Sequence, residues 1–268
     1  MARAKRHYIP GHVWHLTHRC HKMEFLLKFA KDRHRWLQWL YKAKKQYELI
    51  VLDYMVTSNH IHLLVYDHAG RDVIPKSIQL LAGRTGQEYN QRKKRKGAFW
   101  QDRYHATAVE TGEHLLQCIV YIDLNMVRTG KIKHPSQWVW SGFNEIQKPR
   151  RKNVLINYEK LRELAGFETF ENFQSAHGKW VDDSLVKIER KRESHWTESI
   201  AMGSEQFVKR IHSQLGVRVK GRRVIETGDA FQLREKIESY SFLFDSEKCD
   251  IAPENTLEWF VNTAKTDR

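Results

Sequence analysis

The sequence predicts an α+β fold: a ferredoxin-like, split-βαβ antiparallel sheet with helices on one face, followed by a mainly helical C-terminal extension. Segments typical of strands and helices alternate in the order β-α-β-β-α-β over residues 12–109. Thr57-Ser58-Asn59 is a short turn between two apolar segments, so those two strands should pair antiparallel. A further apolar helix after the fourth strand is expected to pack against this core.

Each element rests on its own pattern. β-branched and aromatic residues indicate the strands, and apolar residues at helical spacing, with Lys and Arg on the other side, indicate the helices. The predicted elements are the strand 12–20, the helix from Phe25 to about Tyr47, the strands 49–56 and 60–66, the helix from about Ile74 to Arg92, the strand 104–109 and the helix from Glu113 to Val127.

Shifts in composition divide the chain into three predicted regions. The first domain covers residues 1–146. A basic linker with a helical segment covers residues 147–193, because polar and basic residues begin at Gln147 and a charge-dense run lies at 189–193. Residues 194–268 form a small helical extension that ends in a partly irregular tail.

Within the extension, residues 196–208 have the pattern of a helix, a glycine turn at Gly203 and a second helix that Ser204 can cap. This pattern fits a helix-turn-helix DNA reader. It fits a small helical packing module at least as well.

Net charge indicates the class of partner. The 268 residues include 46 Lys and Arg against 32 Asp and Glu, a formal charge of +14. Such an excess attracts polyanions, of which nucleic acid is the commonest, although a solubility charge or acidic lipid would explain it too. No segment approaches the roughly 18–20 apolar residues of a membrane span, and the basic N-terminus lacks the apolar region of a signal peptide. We therefore expect a soluble cytoplasmic protein with no membrane partner.

The most informative motif is Asn59-His60-Ile61-His62, inside an apolar strand. Side chains alternate along a strand, so His60 and His62 should share one face while Ile61 turns to the core. Two imidazoles side by side on a rigid strand suit a divalent metal ion. Two histidines that merely decorate a half-buried strand would give the same pattern.

The helix predicted from Glu113 to Val127 carries a polar stripe. Gln117, Tyr121 and Asn125 are spaced by four residues and should lie on one face of an otherwise apolar helix. A tyrosine at the edge of the core and an asparagine near the helix end would explain this without a function. Beside a metal ion on His60 and His62, however, Tyr121 becomes a candidate nucleophile for a phosphodiester.

These motifs together resemble a known family. His60-Ile61-His62, after the segment 56–59, resembles the motif of the HUH single-strand endonucleases, and more narrowly that of the single-tyrosine (Y1) transposases, in the branch called REP-associated tyrosine transposases. Four further segments match in order and spacing over about residues 6–145: Arg6–His15, Phe99–Tyr104, Tyr121–Arg128 and Trp138–Phe143.

The resemblance implies an enzyme that nicks and rejoins single-stranded or hairpin DNA. It implies that Tyr121 is the nucleophile that forms a 5′-phosphotyrosine and that Mg²⁺ or Mn²⁺ is the cofactor. By position, the metal ligands are His60, His62 and Asn125. The chain departs from the family pattern at Met126, where proline is usual, and at Ser58, but neither change touches a proposed ligand.

A basic loop before Phe99 is the candidate DNA surface, either as a phosphate clamp with a stacking aromatic or as a solvated loop with Trp100 in the core. The predicted DNA-binding residues are Arg92, Lys93, Lys94, Arg95, Lys96, Trp100 and Arg103. The protein is expected to be a monomer or a homodimer. His12, His15, His18 and His21 are not expected to form a second metal site, because spacing of three on a strand alternates faces.

Two other function classes stay open at this point. One is a non-catalytic, ferredoxin-like protein that binds single-stranded DNA or RNA, and the other is a metal-dependent hydrolase that uses water. The first predicts binding without metal, and the second predicts no covalent adduct.

Overall fold

A computed structural model describes residues 9–68, 72–187, 193–219, 221–228 and 230–234. The strands are β1 Val13–Arg19, β2 Ile50–Val56, β3 His60–Tyr66, β4 His105–Val109, β5 Ser199–Gly203, β6 Val224–Thr227 and β7 Ala230–Arg234. The helices are α1 Ala30–Tyr47, α2 Val73–Arg92, α3 Glu113–Asp123, α4 Asn125–Arg128, α5 Gly142–Gln147, α6 Tyr158–Ala165, α7 Phe170–Val186, α8 His195–Glu198 and α9 Glu205–Leu215. The motif residues 6–8, the charged run 189–192 and the predicted tail after 238 lie outside the described residues.

The predicted ferredoxin-like arrangement is confirmed. The first four strands lie in the order β2-β3-β1-β4, and β1 pairs antiparallel with both β3 and β4. The hairpin predicted at Thr57-Ser58-Asn59 joins β2 to β3, which are also antiparallel. Helices α1 and α2 follow β1 and β3, as the split-βαβ order requires.

The sheet continues into the C-terminal extension. Strand β5 pairs parallel with β4, and the complete order is β2-β3-β1-β4-β5-β7-β6. The helix predicted from Trp196 to Gly203 is confirmed only for the short helix α8, because Ser199–Gly203 is the fully buried strand β5. The second helix is α9, which Ser204 caps through its side chain as predicted. The helix-turn-helix interpretation therefore fails. The region boundaries at residues 146 and 193 stay a prediction.

Different helices pack on the two faces of the sheet. Leu16 and Ile61 face the side where α2 contributes Ile78 and Leu81, all of them buried. His62 lies on the opposite face, where residues after α3 contact it. The helices predicted for one face are therefore α1 and α2, and α3 packs on the other side of β2.

Helix α3 is held by a buried polar network. His177 of α7 donates from Nε2 to Asp123 Oδ2 at 2.8 Å, and its Nδ1 accepts a hydrogen bond from Gln147 Nε2 at 2.8 Å. Burial lowers the pKa of His177 to about 3, so the ring is neutral and can donate and accept at once. This network fixes the C-terminal end of α3.

The helix predicted over 113–127 is interrupted. Leu124, with φ −81° and ψ 1°, separates α3 from the short helix α4. Tyr121 therefore ends up on α3 and Asn125 at the first position of α4. Among the described residues, no helix has both the length and the apolar character needed to cross a bilayer.

A buried carboxyl group yields a stability prediction. Asp53 of β2 is fully buried, and a Cβ atom added at Gly142 would collide with its Oδ1. Burial, followed by the nearby charges of Asp123 and Glu145, raises the pKa of Asp53 well above its usual value. Folding therefore favours the neutral acid, and this contribution to stability is lost as the pH rises from about 4 through the raised pKa.

We expect Asp53→Asn to stabilise the protein at pH 8 by about 1–3 kcal/mol, because the amide carries no charge to bury. The gain should shrink towards pH 4.5, and urea unfolding at both pH values measures it. Asp183→Asn, the same change at an exposed carboxylate, is the control and should have little effect at either pH. A variant less stable than the parent at pH 8 would contradict the prediction.

Candidate active site

The two motif histidines lie side by side on β3. His60 pairs with Arg19 and His62 with Thr17 in the antiparallel register, which places both histidines on one sheet face as the alternation predicts. Their ring centroids are 5.0 Å apart. His62 is 2% exposed and His60 is half-buried, so the pair runs from the interior towards the surface.

His60 is oriented by its own turn. Its Nδ1 lies 2.7 Å from Asn59 Oδ1 and 3.0 Å from Thr57 Oγ1. Since the Asn59 oxygen can only accept, Nδ1 carries the proton, and a neutral His60 then has its lone pair on Nε2. This is the tautomer that binds a metal ion through Nε2.

Asn125, the first residue of α4, contacts His62. Its Nδ2 lies 3.1 Å from His62 Nε2. The Oδ1 of Asn125 is buried and has no hydrogen-bond partner among the described residues. The structure therefore brings Asn125 to His62 within a single chain, although a break at Leu124 separates Asn125 from α3.

Tyr121 lies beside the same histidine. Its ring centroid is 5.8 Å from that of His62 and 6.1 Å from that of His15. The Arg128 guanidinium carbon lies 4.3 Å above the tyrosine ring, and both terminal nitrogens donate to the Tyr121 carbonyl at 2.8 Å. The ring of Trp196 covers another side, with centroids 6.0 Å apart.

This arrangement unites groups from β3, α3 and α4 around His62, and the stretch that carries the histidines and Tyr121 matches a known family. The model of the IS200-like transposase family matches residues 10–125. This stretch, a little less than half of the chain, is therefore similar to the IS200-like transposases. The prediction of a Y1 transposase is confirmed for this stretch of the chain, and it supports a role in DNA transposition.

Solved structures give weaker matches to part of the chain. One is a REP-associated tyrosine transposase bound to a REP hairpin, with a TM-score of 0.45 and 20% identity over 54% of this chain and 84% of that one. Another, described as a transposase from Deinococcus radiodurans R1, has a TM-score of 0.31 and 19% identity over 42% of this chain and 88% of that one. No curated protein matches the chain.

Three further residues of the site were not assigned a role from sequence. His15, Arg128 and Trp196 surround His62 and Tyr121. The alternation of faces along β1 is confirmed, since His15 contacts His62 while His18 stacks on Trp100 behind the sheet. His15 could have been found from the β1–β3 register, whereas Trp196 lies far away in sequence and gave no signal.

Burial sets the charge of the inner histidines. It lowers the pKa of His15 to about 3, against the opposing effect of the hydrogen bond that His15 donates to the Trp196 carbonyl. Burial also lowers the pKa of His62 well below its usual value, and the neighbouring His60 and His15 add to this effect. Both rings are therefore neutral at physiological pH.

The donor set of His60, His62 and Asn125 fits a divalent cation. Two imidazole nitrogens and one amide oxygen suit Mn²⁺ and other transition ions, whereas Mg²⁺ prefers oxygen ligands. The buried, unpartnered Oδ1 of Asn125 is the atom that such an ion would satisfy. No group of three His, Cys, Asp or Glu side chains suited to a metal occurs in the described part of the chain. The proposed set differs because its third member is Asn125.

The predicted DNA-binding residues fall into two groups. Arg92 pairs with Asp32, and Arg95 donates to the Ala98 carbonyl at 2.9 Å and pairs with Glu24 at 3.4 Å. By contrast, the lysine side chains of the loop are exposed: Lys93, Lys94 and Lys96. The two arginines therefore hold the loop in place, and the lysines face outward.

This basic loop lies at the same end of the sheet as His60. Glu24, which Arg95 contacts, follows Met23, whose carbonyl accepts a hydrogen bond from Asn59 Nδ2 at 3.4 Å. The backbone N–H of Cys20 donates to the Asn59 carbonyl at 2.7 Å. Short contacts thus connect the loop to the turn that precedes His60.

The other predicted residues take separate places. Trp100 is partly buried, donates to the Ala82 carbonyl at 3.0 Å and stacks on His18 with centroids 4.1 Å apart. Arg103 is exposed on the segment that follows. Gln117, which the polar stripe had included, is exposed and bonds to Glu113 instead of joining the site.

Proposed function

We propose that this protein is a metal-dependent single-stranded DNA endonuclease and strand transferase of the REP-associated branch, acting through a 5′-phosphotyrosine on hairpin-forming repeat DNA. The observation that carries the proposal is the convergence on His62, within one chain, of Asn125 at 3.1 Å and the Tyr121 ring at 5.8 Å. A nucleophile beside two histidines and an amide oxygen is suited to phosphoryl transfer.

In the proposed reaction, the Tyr121 hydroxyl oxygen attacks the phosphorus of a phosphodiester. A Tyr–O–P bond forms while the bond from phosphorus to the 3′ oxygen breaks, the phenol loses its proton, and the departing 3′ oxygen gains one. A second 3′-hydroxyl reverses the step and completes strand transfer. The bond energy is kept in the intermediate, so no nucleotide cofactor is required.

The surrounding residues have distinct tasks in this proposal. A divalent cation, Mg²⁺ or Mn²⁺, held by His60, His62 and Asn125 would polarise a non-bridging oxygen of the attacked phosphate. Arg128 holds the Tyr121 backbone and places a positive charge over the ring, where it favours the developing phenolate. Burial lowers the pKa of Arg128, but an arginine stays protonated at physiological pH.

The proposal extends to the DNA surface and to the assembly. Lys93, Lys94 and Lys96 bind phosphates, and Arg103 and the partly exposed Trp100 lie beside them on the segment that follows the loop. Arg92 and Arg95 act by holding the loop. Since Tyr121 and His62 of one chain already lie together, each chain of a monomer or homodimer would use its own tyrosine. The cytoplasm stays the proposed location.

A covalent adduct is the direct test. Incubated with Mn²⁺ and a labelled single strand that contains a hairpin, the parent protein should form a protein–DNA adduct that persists on a denaturing gel. Tyr121→Phe should abolish the adduct while retaining binding in a gel-shift assay, because only the nucleophilic oxygen is removed. Tyr47→Phe, at the end of α1, is the matched control and should form the adduct normally.

Other outcomes would separate the remaining function classes. Cleavage without an adduct would indicate hydrolysis by water. Binding that needs no metal, with neither cleavage nor adduct on several hairpin substrates, would indicate a binding protein. An adduct that persists in Tyr121→Phe would refute the assignment of the nucleophile.

The lysine triple variant tests the DNA surface. Each phosphate contact on DNA contributes about 0.7–0.9 to the slope of log affinity against log salt. Replacing Lys93, Lys94 and Lys96 by alanine should therefore reduce that slope by about 2 for a hairpin strand. A control with the same loss of charge replaces the exposed lysines of other helices, Lys45, Lys179 and Lys209. If both triple variants change the slope equally, the basic loop is not the binding surface.

A further inference from the structure

A line of hydrogen bonds reaches His62 from the C-terminal extension. The Trp196 carbonyl lies 2.9 Å from His15 Nδ1. The other nitrogen of the same ring, Nε2, lies 2.9 Å from His62 Nδ1, and the two rings are stacked with centroids 5.1 Å apart. His15 is completely buried, so no water competes for these contacts.

The chemistry of these atoms fixes the position of every proton. A carbonyl can only accept, so His15 Nδ1 must carry its proton towards Trp196. A charged imidazolium is costly to bury, so the completely buried His15 ring is neutral. Its Nε2 is then an acceptor, and His62 Nδ1 must donate to it. A neutral His62 therefore has its lone pair on Nε2, the atom that faces Asn125.

We propose that His15 and the Trp196 carbonyl are positioning groups that hold His62 in the tautomer and orientation required to bind the cation through Nε2. This inference rests on the proposed function, because it assumes that His62 is a ligand. It adds to the site a residue of β1 and a backbone group that lies beyond the family match at residues 10–125.

The Trp196 carbonyl is itself held in place. Thr107 of β4 donates from Oγ1 to the Ser199 carbonyl at 2.6 Å and lies 3.3 Å from the Trp196 carbonyl. His105, also on β4, contacts the Ser199 carbonyl at 2.9 Å. Side chains of β4 thus fix the segment that accepts the proton of His15.

Without the hydrogen bond from His62 Nδ1 to His15, the other tautomer of His62, with its proton on Nε2, becomes favourable. In His15→Phe the ring keeps its approximate shape but offers no acceptor to His62 Nδ1. The remaining hydrogen-bond acceptor for His62 is then Asn125 Oδ1, which accepts from a proton on Nε2. A protonated Nε2 has no lone pair with which to bind a cation. Loss of such an outer hydrogen bond typically lowers metal affinity by about 10–100-fold.

Mn²⁺ binding to the purified protein without DNA measures this effect. Titration followed by electron paramagnetic resonance should show about 10–100-fold weaker binding for His15→Phe. His15→Gln, whose amide oxygen can accept from His62 Nδ1, should recover much of the affinity. His34→Phe, the same change at an exposed histidine of α1, is the control and should leave Mn²⁺ affinity unchanged.

The tautomer itself provides a readout that needs neither metal nor a variant. In nitrogen-15 NMR spectra of the metal-free parent protein, His15 and His62 should both show a protonated Nδ1 and an unprotonated Nε2. A His62 proton on Nε2 would overturn the inference. So would a His15→Phe variant that folds and binds Mn²⁺ as tightly as the parent.

The outcomes keep the two proposals apart. If the parent protein binds no Mn²⁺, or His62→Phe binds it unchanged, the proposed metal site fails. The NMR tautomers of His15 and His62 then decide whether the hydrogen bonds from Trp196 through His15 set the proton of His62. If the parent binds Mn²⁺ through His62 but His15→Phe has no effect, the metal site stands and the positioning role of His15 fails.

Discussion

The pairing of β1 with β3 is the constraint on which the rest of the structure depends. Its register places Thr17 opposite His62 and His15 opposite Leu64, so His15 and His62 share a sheet face as diagonal neighbours. A slip by one residue would turn every side chain of β1 to the other face. Trp14 and Leu16 are completely buried on the helix-covered side, and their burial opposes such a slip.

The sequence predicts the contacts of this site between residues that are close along the chain, but few of those between residues that are distant along it. Alternation along one strand is enough to place His60 and His62 together, and a three-residue turn is enough to make β2 and β3 neighbours. The contact of Asn125 with His62 depends on where α3 ends, which the polar network under Asp123 and the break at Leu124 decide. Spacing of four residues suggested a continuous helix, since no proline or glycine marks the interruption.

The C-terminal strands show why the remaining fold could not be predicted. Ser199–Gly203 is short and contains residues common in helices, so its own pattern did not indicate a strand. It becomes β5 because the edge of β4 offers unpaired backbone groups at Ala108 and Val109, and pairing there buries the whole segment. Pairing with a strand that is distant in sequence therefore overrides the weak helix propensity of this segment.

This edge pairing gives the extension a place in the candidate active site. Pairing between β4 and β5 covers only two residue pairs, so the contacts of Thr107 and His105 with the Ser199 carbonyl contribute much of its alignment. If the Trp196 carbonyl were absent, the His15 N–H would be buried without an acceptor, at a cost of about 1–3 kcal/mol. The segment that leads into β5 therefore also satisfies a donor beneath His62, through the Trp196 carbonyl. Packing of the extension and orientation of the site therefore depend on each other. The chain that enters β5 pairs with β4 and also supplies the carbonyl that orients His15.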